Sequence, residues 1–120
     1  MKPLHAFTVS ALGHRLHVRV LPTCRDVAAE FGPGARSKKH KLITHGYFTT
    51  DPMGRRGVIG TVVLAADRVN IDLIAHETAH AAALVAAPNC RLDSEELLAN
   101  LCGFFTQRIT YRLLDLGYEL

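Results

Sequence analysis

Tryptophan is absent from the 120 residues, so the interior has to be built from Leu, Val, Ile, Ala and five Phe. Cysteine is scarce: Cys24, Cys90 and Cys102 are an odd number at scattered positions, fitting neither a disulfide framework nor a Cys-x-x-Cys metal knuckle. They are expected to be reduced and structural. The longest strictly apolar run, Ala81 to Ala87, falls far short of the roughly 20 residues that a membrane span needs. Nor does the start, Met1-Lys2-Pro3-Leu4-His5, lead into the continuous apolar stretch of a secretory signal. Internal repeats, low-complexity tracts and linkers are missing as well. A cytoplasmic protein without a membrane partner is the expectation, with residues 1–120 as one domain, since a chain of this length buries one adequate core but hardly two.

What is present is ordinary globular composition, 48% hydrophobic and 21% charged. The charge is unevenly spread, with ten Lys/Arg against three Asp/Glu in residues 1–66 and four against eight in residues 67–120. The basic excess concentrates at Arg36, Lys38, Lys39 and Lys41, with Arg55 and Arg56 in a second loop. No aromatic residues interleave with these charges as a stacking surface requires, so they read as solvated loops and nucleic acid is an unlikely partner.

Alternation of Leu16, Val18 and Val20 with His17 and Arg19 gives a half-buried strand, and Phe7 to Ala11 pairs with it through a turn at Gly13. Asp26 to Phe31 suits a short helix stopped by Gly32-Pro33-Gly34. Ile43 to Thr50 and the β-branched stretch Gly57 to Ala66 read as a second strand pair, with turn chemistry at Asp51-Pro52-Met53-Gly54. Asn70 then caps a helix from Ile71 to Ala87, with Asp72 in its first turn, and Pro88-Asn89 ends it. A last helix starts near Asp93 or Ser94 and runs to about Leu116, with Leu97, Leu98, Leu101, Phe104, Phe105 and Ile109 read as core. The expected fold is α+β: a small mixed or antiparallel sheet from the first 66 residues, packed on two helices.

Chemistry concentrates in His76-Glu77-Thr78-Ala79-His80. Residues four apart on a helix lie one turn above each other, so both imidazoles project from one face and can converge on a single ion. Glu77 sits about 100° around the helix from His76, the position of a general base toward metal-bound water. Catalytic zinc takes three protein ligands and keeps one open position, so a third ligand has to come from elsewhere. The last helix offers Glu95 and Glu96. Glu96 is preferred, because Ala99 and Asn100 then share its face, giving room for close packing and an amide to orient a ligand.

This pattern resembles the HExxH zincin metallopeptidases of gluzincin type, whose third ligand is a Glu on the following helix, as in thermolysin-like enzymes. Its short form is similar to the ImmA/IrrE-like peptidases and to small phage-encoded proteins of metallopeptidase type. Glu96-Leu97-Leu98-Ala99-Asn100, followed by Leu101-Cys102-Gly103, fits their second motif, and the resemblance covers roughly residues 58–107. It implies a Zn2+ held by His76, His80 and Glu96, with Glu77 as general base and a protein or peptide as substrate. A sheet edge beside the cleft, from strand 43–50 or 57–66, would take the substrate by strand addition.

One departure from the family pattern matters, since no residue stands at a warranted position for stabilising the tetrahedral oxyanion. Tyr47, His45 and Tyr118 are candidates. His5, His14, His17, His40 and His45 otherwise read as surface or locally bonded histidines. The rival readings are a zinc-bound regulatory or protein-binding domain without turnover and a nucleic-acid-associated metalloprotein. Glu77 separates peptidase from binder, because a pure binding site has no mechanistic need of a carboxylate there.

Overall fold

The computed structural model describes residues 2–32, 45–51, 57–86 and 94–120. The basic residues between 36 and 41, Arg55 and Arg56, His40, Cys90, the Pro52-Met53-Gly54 turn and the Pro88-Asn89 helix stop lie outside the described residues. The element order is β1 (His5–Ala11), β2 (His14–Leu21), α1 (Cys24–Phe31), β3 (Gly46–Thr50), β4 (Val58–Ala65), α2 (Ile71–Ala86) and α3 (Ser94–Asp115). The fold is α+β, with a four-stranded mixed sheet and three helices among the described residues.

β1 and β2 form the expected hairpin, with Ala11 opposite His14. Its two-residue turn needs positive φ at both central positions, and Leu12 (φ 50°) and Gly13 (φ 80°) supply it. β3 and β4 pair antiparallel as expected, Phe48 opposite Val62. The pairing of β2 with β4 is parallel, with Val18 opposite Val62, and the strand order is β1-β2-β4-β3. Non-local parallel pairing leaves no mark in the sequence around either strand, which is why only the two hairpin-like pairs were legible. Among the described residues β1 and β3 are consequently the two edges of the sheet.

One sheet face carries Phe7, Val9, Leu16, Val18, Val20, Val62 and Leu64, packed beneath α2 and α3. α2 lies over β3 and β4, and α3 over β1. A smaller cluster of Leu21, Val27, Val63 and Ala65 forms under α1 on the opposite face. α1 opens with a capping box, in which Thr23 Oγ1 accepts from the Asp26 N–H and the Asp26 carboxylate accepts from the Thr23 N–H. An Arg19–Glu30 ion pair ties the helix to β2.

α2 starts as expected: Asn70 Oδ1 accepts from the Leu73 N–H at 2.8 Å. In α3 the fully buried positions are Leu101, Phe105, Ile109 and Leu113, while Leu97 and Leu98 are partly buried. Phe104, expected in the core, is 39% exposed. Phe104 and Phe105 are adjacent on one helix, and only one of them can face inward. Among the described residues no helix is long and apolar enough to cross a membrane.

Candidate metal centre

The buried side of α2 runs Ile74, Glu77, Thr78, Ala81, Ala82 and Ala86. These positions form one helical stripe, and a glutamate sits inside it. Glu77 is only 4% exposed, whereas the His76 side chain is 67% exposed. Sequence spacing puts Glu77 beside the two histidines but says nothing of this burial, because an Ala-rich helix has no clear polar side against which to read a stripe.

His76 Nε2 and His80 Nε2 stand 3.3 Å apart, their rings in a T-shaped arrangement with an interplanar angle of 78°. Two nitrogens bound to a tetrahedral zinc at about 2.0–2.1 Å are separated by about 3.3–3.4 Å. The pair therefore already has the spacing that one such ion demands. Glu77 Oε1 lies 3.6 Å from His76 Nε2, and ligand atoms of His76, Glu77 and His80 all fall within 4.8 Å of one another.

Among the described residues, Glu77 Oε2 is buried and has no hydrogen-bond partner. A buried, unpaired carboxylate oxygen is costly, and a nearby cation or a proton relieves the cost. Burial pushes the Glu77 carboxyl above the ordinary range, and His76 and His80 pull partly in the other direction. Behind the site, Thr78 Oγ1 contacts Thr106 Oγ1 at 2.8 Å and donates to the Ala75 carbonyl, so a polar contact joins α2 to α3.

Glu96 is placed in the first turn of α3, exposed like Glu95, and does not join the cluster of ligand atoms within 4.8 Å. Ala99 and Asn100 are exposed too. Of the oxyanion candidates, Tyr118 meets His5 edge-on at 5.6 Å, beside the β1 edge. Tyr47 packs with the α1-side cluster and against Phe31, ring centroids 4.7 Å apart. His45 is exposed just before β3, its carbonyl accepting from the Ala65 N–H. His17 bonds Thr8 across the hairpin at 2.7 Å, a locally satisfied histidine as expected.

No family model, curated protein or solved structure matches the chain. Function has to be argued from the side chains alone.

Their setting adds one feature. Glu77 and His80 open onto a cleft of about 580 Å³ between α2 and the edge strand β3, with Phe31, Tyr47, Phe48 and Leu84 among its walls. This volume lies within the range of about 300–1,000 Å³ found for ligand sites. Neither Phe31 nor Leu84 was singled out from the sequence. Leu84 had a usable signal, since it follows His80 by four residues on the same helix face; Phe31 had none, because only the tertiary fold brings α1 to this edge.

Proposed function

We propose that this chain is a zinc-dependent metallopeptidase, with His76 and His80 as ligands, Glu96 as third ligand and Glu77 as general base. The observation that carries the reading is the buried, unpartnered Glu77 Oε2 beside two imidazole nitrogens spaced for one ion, at the mouth of a cleft. Two histidines and a carboxylate suit zinc, which takes nitrogen and oxygen ligands without geometric preference of its own. Glu96 stands exposed in the first turn of α3, and its assignment as third ligand rests on the sequence pattern.

When bound, zinc lowers the pKa of a coordinated water toward neutrality and polarises a carbonyl. The Glu77 carboxylate accepts a proton and returns it to the departing amine. β3 pairs with β4 on one side and leaves its other edge toward the cleft, where an extended peptide can add as a further strand.

Glu77→Gln tests the assignment. Gln is nearly isosteric but cannot accept the proton, so zinc content should be unchanged while turnover falls by about 10²–10⁴. Zinc is read by elemental mass spectrometry and cleavage on a proteome-derived peptide library. Equal cleavage by variant and parent at equal zinc content would defeat the mechanism. A second reading, a zinc-bound protein-binding domain without turnover, is favoured by one observation: Tyr47 and Tyr118 are both packed against other rings. Peptides retained by the zinc-loaded parent but never cut would select it.

A further inference from the structure

A second groove lies at the other edge of the sheet, where α3 covers β1. It measures about 380 Å³ and is lined by Thr8 to Ser10 of β1 and by Arg108, Tyr111, Arg112 and Asp115 of α3. The Arg15 N–H donates to the Gly57 carbonyl just before β4, and the Ala66 N–H donates to the Leu21 carbonyl just after it. Odd-numbered residues of β2 therefore bond β4, and even-numbered ones bond β1. Since Leu16 stands opposite Val9 and Val18 opposite Phe7, the residues between them, Thr8 and Ser10, send their N–H and C=O groups away from β2 and into the groove. Among the described residues no strand pairs with this edge. His5–Ala11 also holds no Lys, Asp, Glu or Pro, the residues that usually keep an edge strand single.

The helix side of the groove carries charge of both signs. Positions 108, 111, 112 and 115 are spaced by three and four and share one face of α3. Tyr111 is 58% exposed. Arg108 lies over the Phe104 ring at 5.1 Å and Arg112 over the Phe7 ring at 4.8 Å, and among the described residues Asp115 forms no ion pair. We propose that a second copy of this chain fills the groove, its β1 pairing antiparallel with this β1 about a two-fold axis beside Val9. A two-fold interface sets the same patch against itself, so every contact across it occurs twice. When Arg108 faces Asp115 of the second copy across antiparallel helices, Tyr111 faces Arg112, a guanidinium over an aromatic ring. The midpoint of 108–115 lies beside the same Thr8–Ser10 stretch, so one axis serves both the strands and the helices. Each Arg108 then also stands near the C-terminal end of the other α3, where the helix dipole attracts a cation. An acidic peptide fits less well, because Asp115 repels it. The pairing makes no use of the metal centre, and each copy keeps its cleft at an outer end of the joined sheet.

Sedimentation velocity on the full chain, over a concentration series through the micromolar range and with chelator present to exclude metal-bridged histidines, tests the pairing. The parent should be dimeric at the upper end. Asp115→Arg sets like charges against each other and should raise the dissociation constant about tenfold or more, as should Arg108→Asp. The double variant Arg108→Asp/Asp115→Arg should regain the parent's dimer, which neither a damaged fold nor an unrelated contact surface would produce. Thr8→Pro removes an outward N–H and leaves the β1–β2 ladder its bonds, so it should be monomeric with the parent's far-UV circular dichroism. A parent that stays monomeric throughout, or a dimer that persists in either Asp115→Arg or Thr8→Pro, would overturn the proposal. So would a double variant that remains monomeric. A monomeric parent that binds a fluorescent peptide of alternating Val and Asp, and loses it in Arg108→Asp, would give the groove to an acidic partner instead.

Discussion

At the scale of single residues the centre is two exposed histidines and one buried glutamate, and each has its own test. His76→Ala or His80→Ala should remove most bound zinc, because the two remaining ligands cannot hold the ion as three do. Near-stoichiometric zinc in both variants would sink the site. Glu96→Ala should weaken zinc binding while Glu95→Ala should not, since one of two adjacent helical positions faces a given direction; the reverse result moves the ligand to Glu95. Glu77 makes a prediction about stability rather than catalysis. Its folded carboxyl titrates above the ordinary range because of burial. The metal-free folded state therefore holds that proton more tightly than the unfolded chain. The stability this confers is complete below the unfolded value and is lost as pH rises through the folded value. In protein stripped with a chelator, Glu77→Gln should melt higher than the parent at about pH 7.5, and the gap should shrink near pH 4. An identical gap at both pH values would show that charge burial is not its cause.

Elements were more legible than their arrangement. The strands of the β1–β2 hairpin, the Asn70 cap and the two long helices follow from local periodicity and capping, and the HExxH geometry follows from i, i+4 spacing alone. Which edge of the sheet meets α2 did not follow, since it depends on β2 joining β4 in parallel, a contact between segments some forty residues apart. Gly60 shows how closely that edge is built. A Cβ there would fall inside contact distance of the Thr49 carbonyl oxygen and 2.9 Å from Thr50 Cα, both backbone of β3. Gly60→Ala should push β3 off β4 and cost about 1–3 kcal/mol, as overpacking does. Because His76 and His80 belong to α2, the variant should keep its zinc while losing peptide cleavage. Urea melts and metal analysis on the same preparation test this; unchanged cleavage would remove β3 from the substrate site.

For the molecule as a whole, the question is whether zinc would be a structural brace or a guest in a finished site. The core argues for the guest. Leu16, Val18, Val62, Phe105 and Ile109 are fully buried, and α2 is anchored in that core through Ile74, Ala81 and Ala82, none of which depends on the metal. The histidines stand on the outer shoulder of the same helix, already 3.3 Å apart. A small zinc finger, by contrast, has no core of its own and unfolds without its ion. Chelation here should leave the helix and sheet signals of far-UV circular dichroism intact at about 25 °C and keep a single cooperative melt. The melt should nonetheless come earlier. An ion present at 100 times its Kd stabilises by about 2.7 kcal/mol, which for a chain of this size is a shift on the order of 10 °C. That shift should vanish in His80→Ala, whose melt ought to be the same with and without chelator. Loss of the fold on chelation at room temperature would mean that the ion completes the core, and the reading of an open, catalytic centre would give way to a structural one.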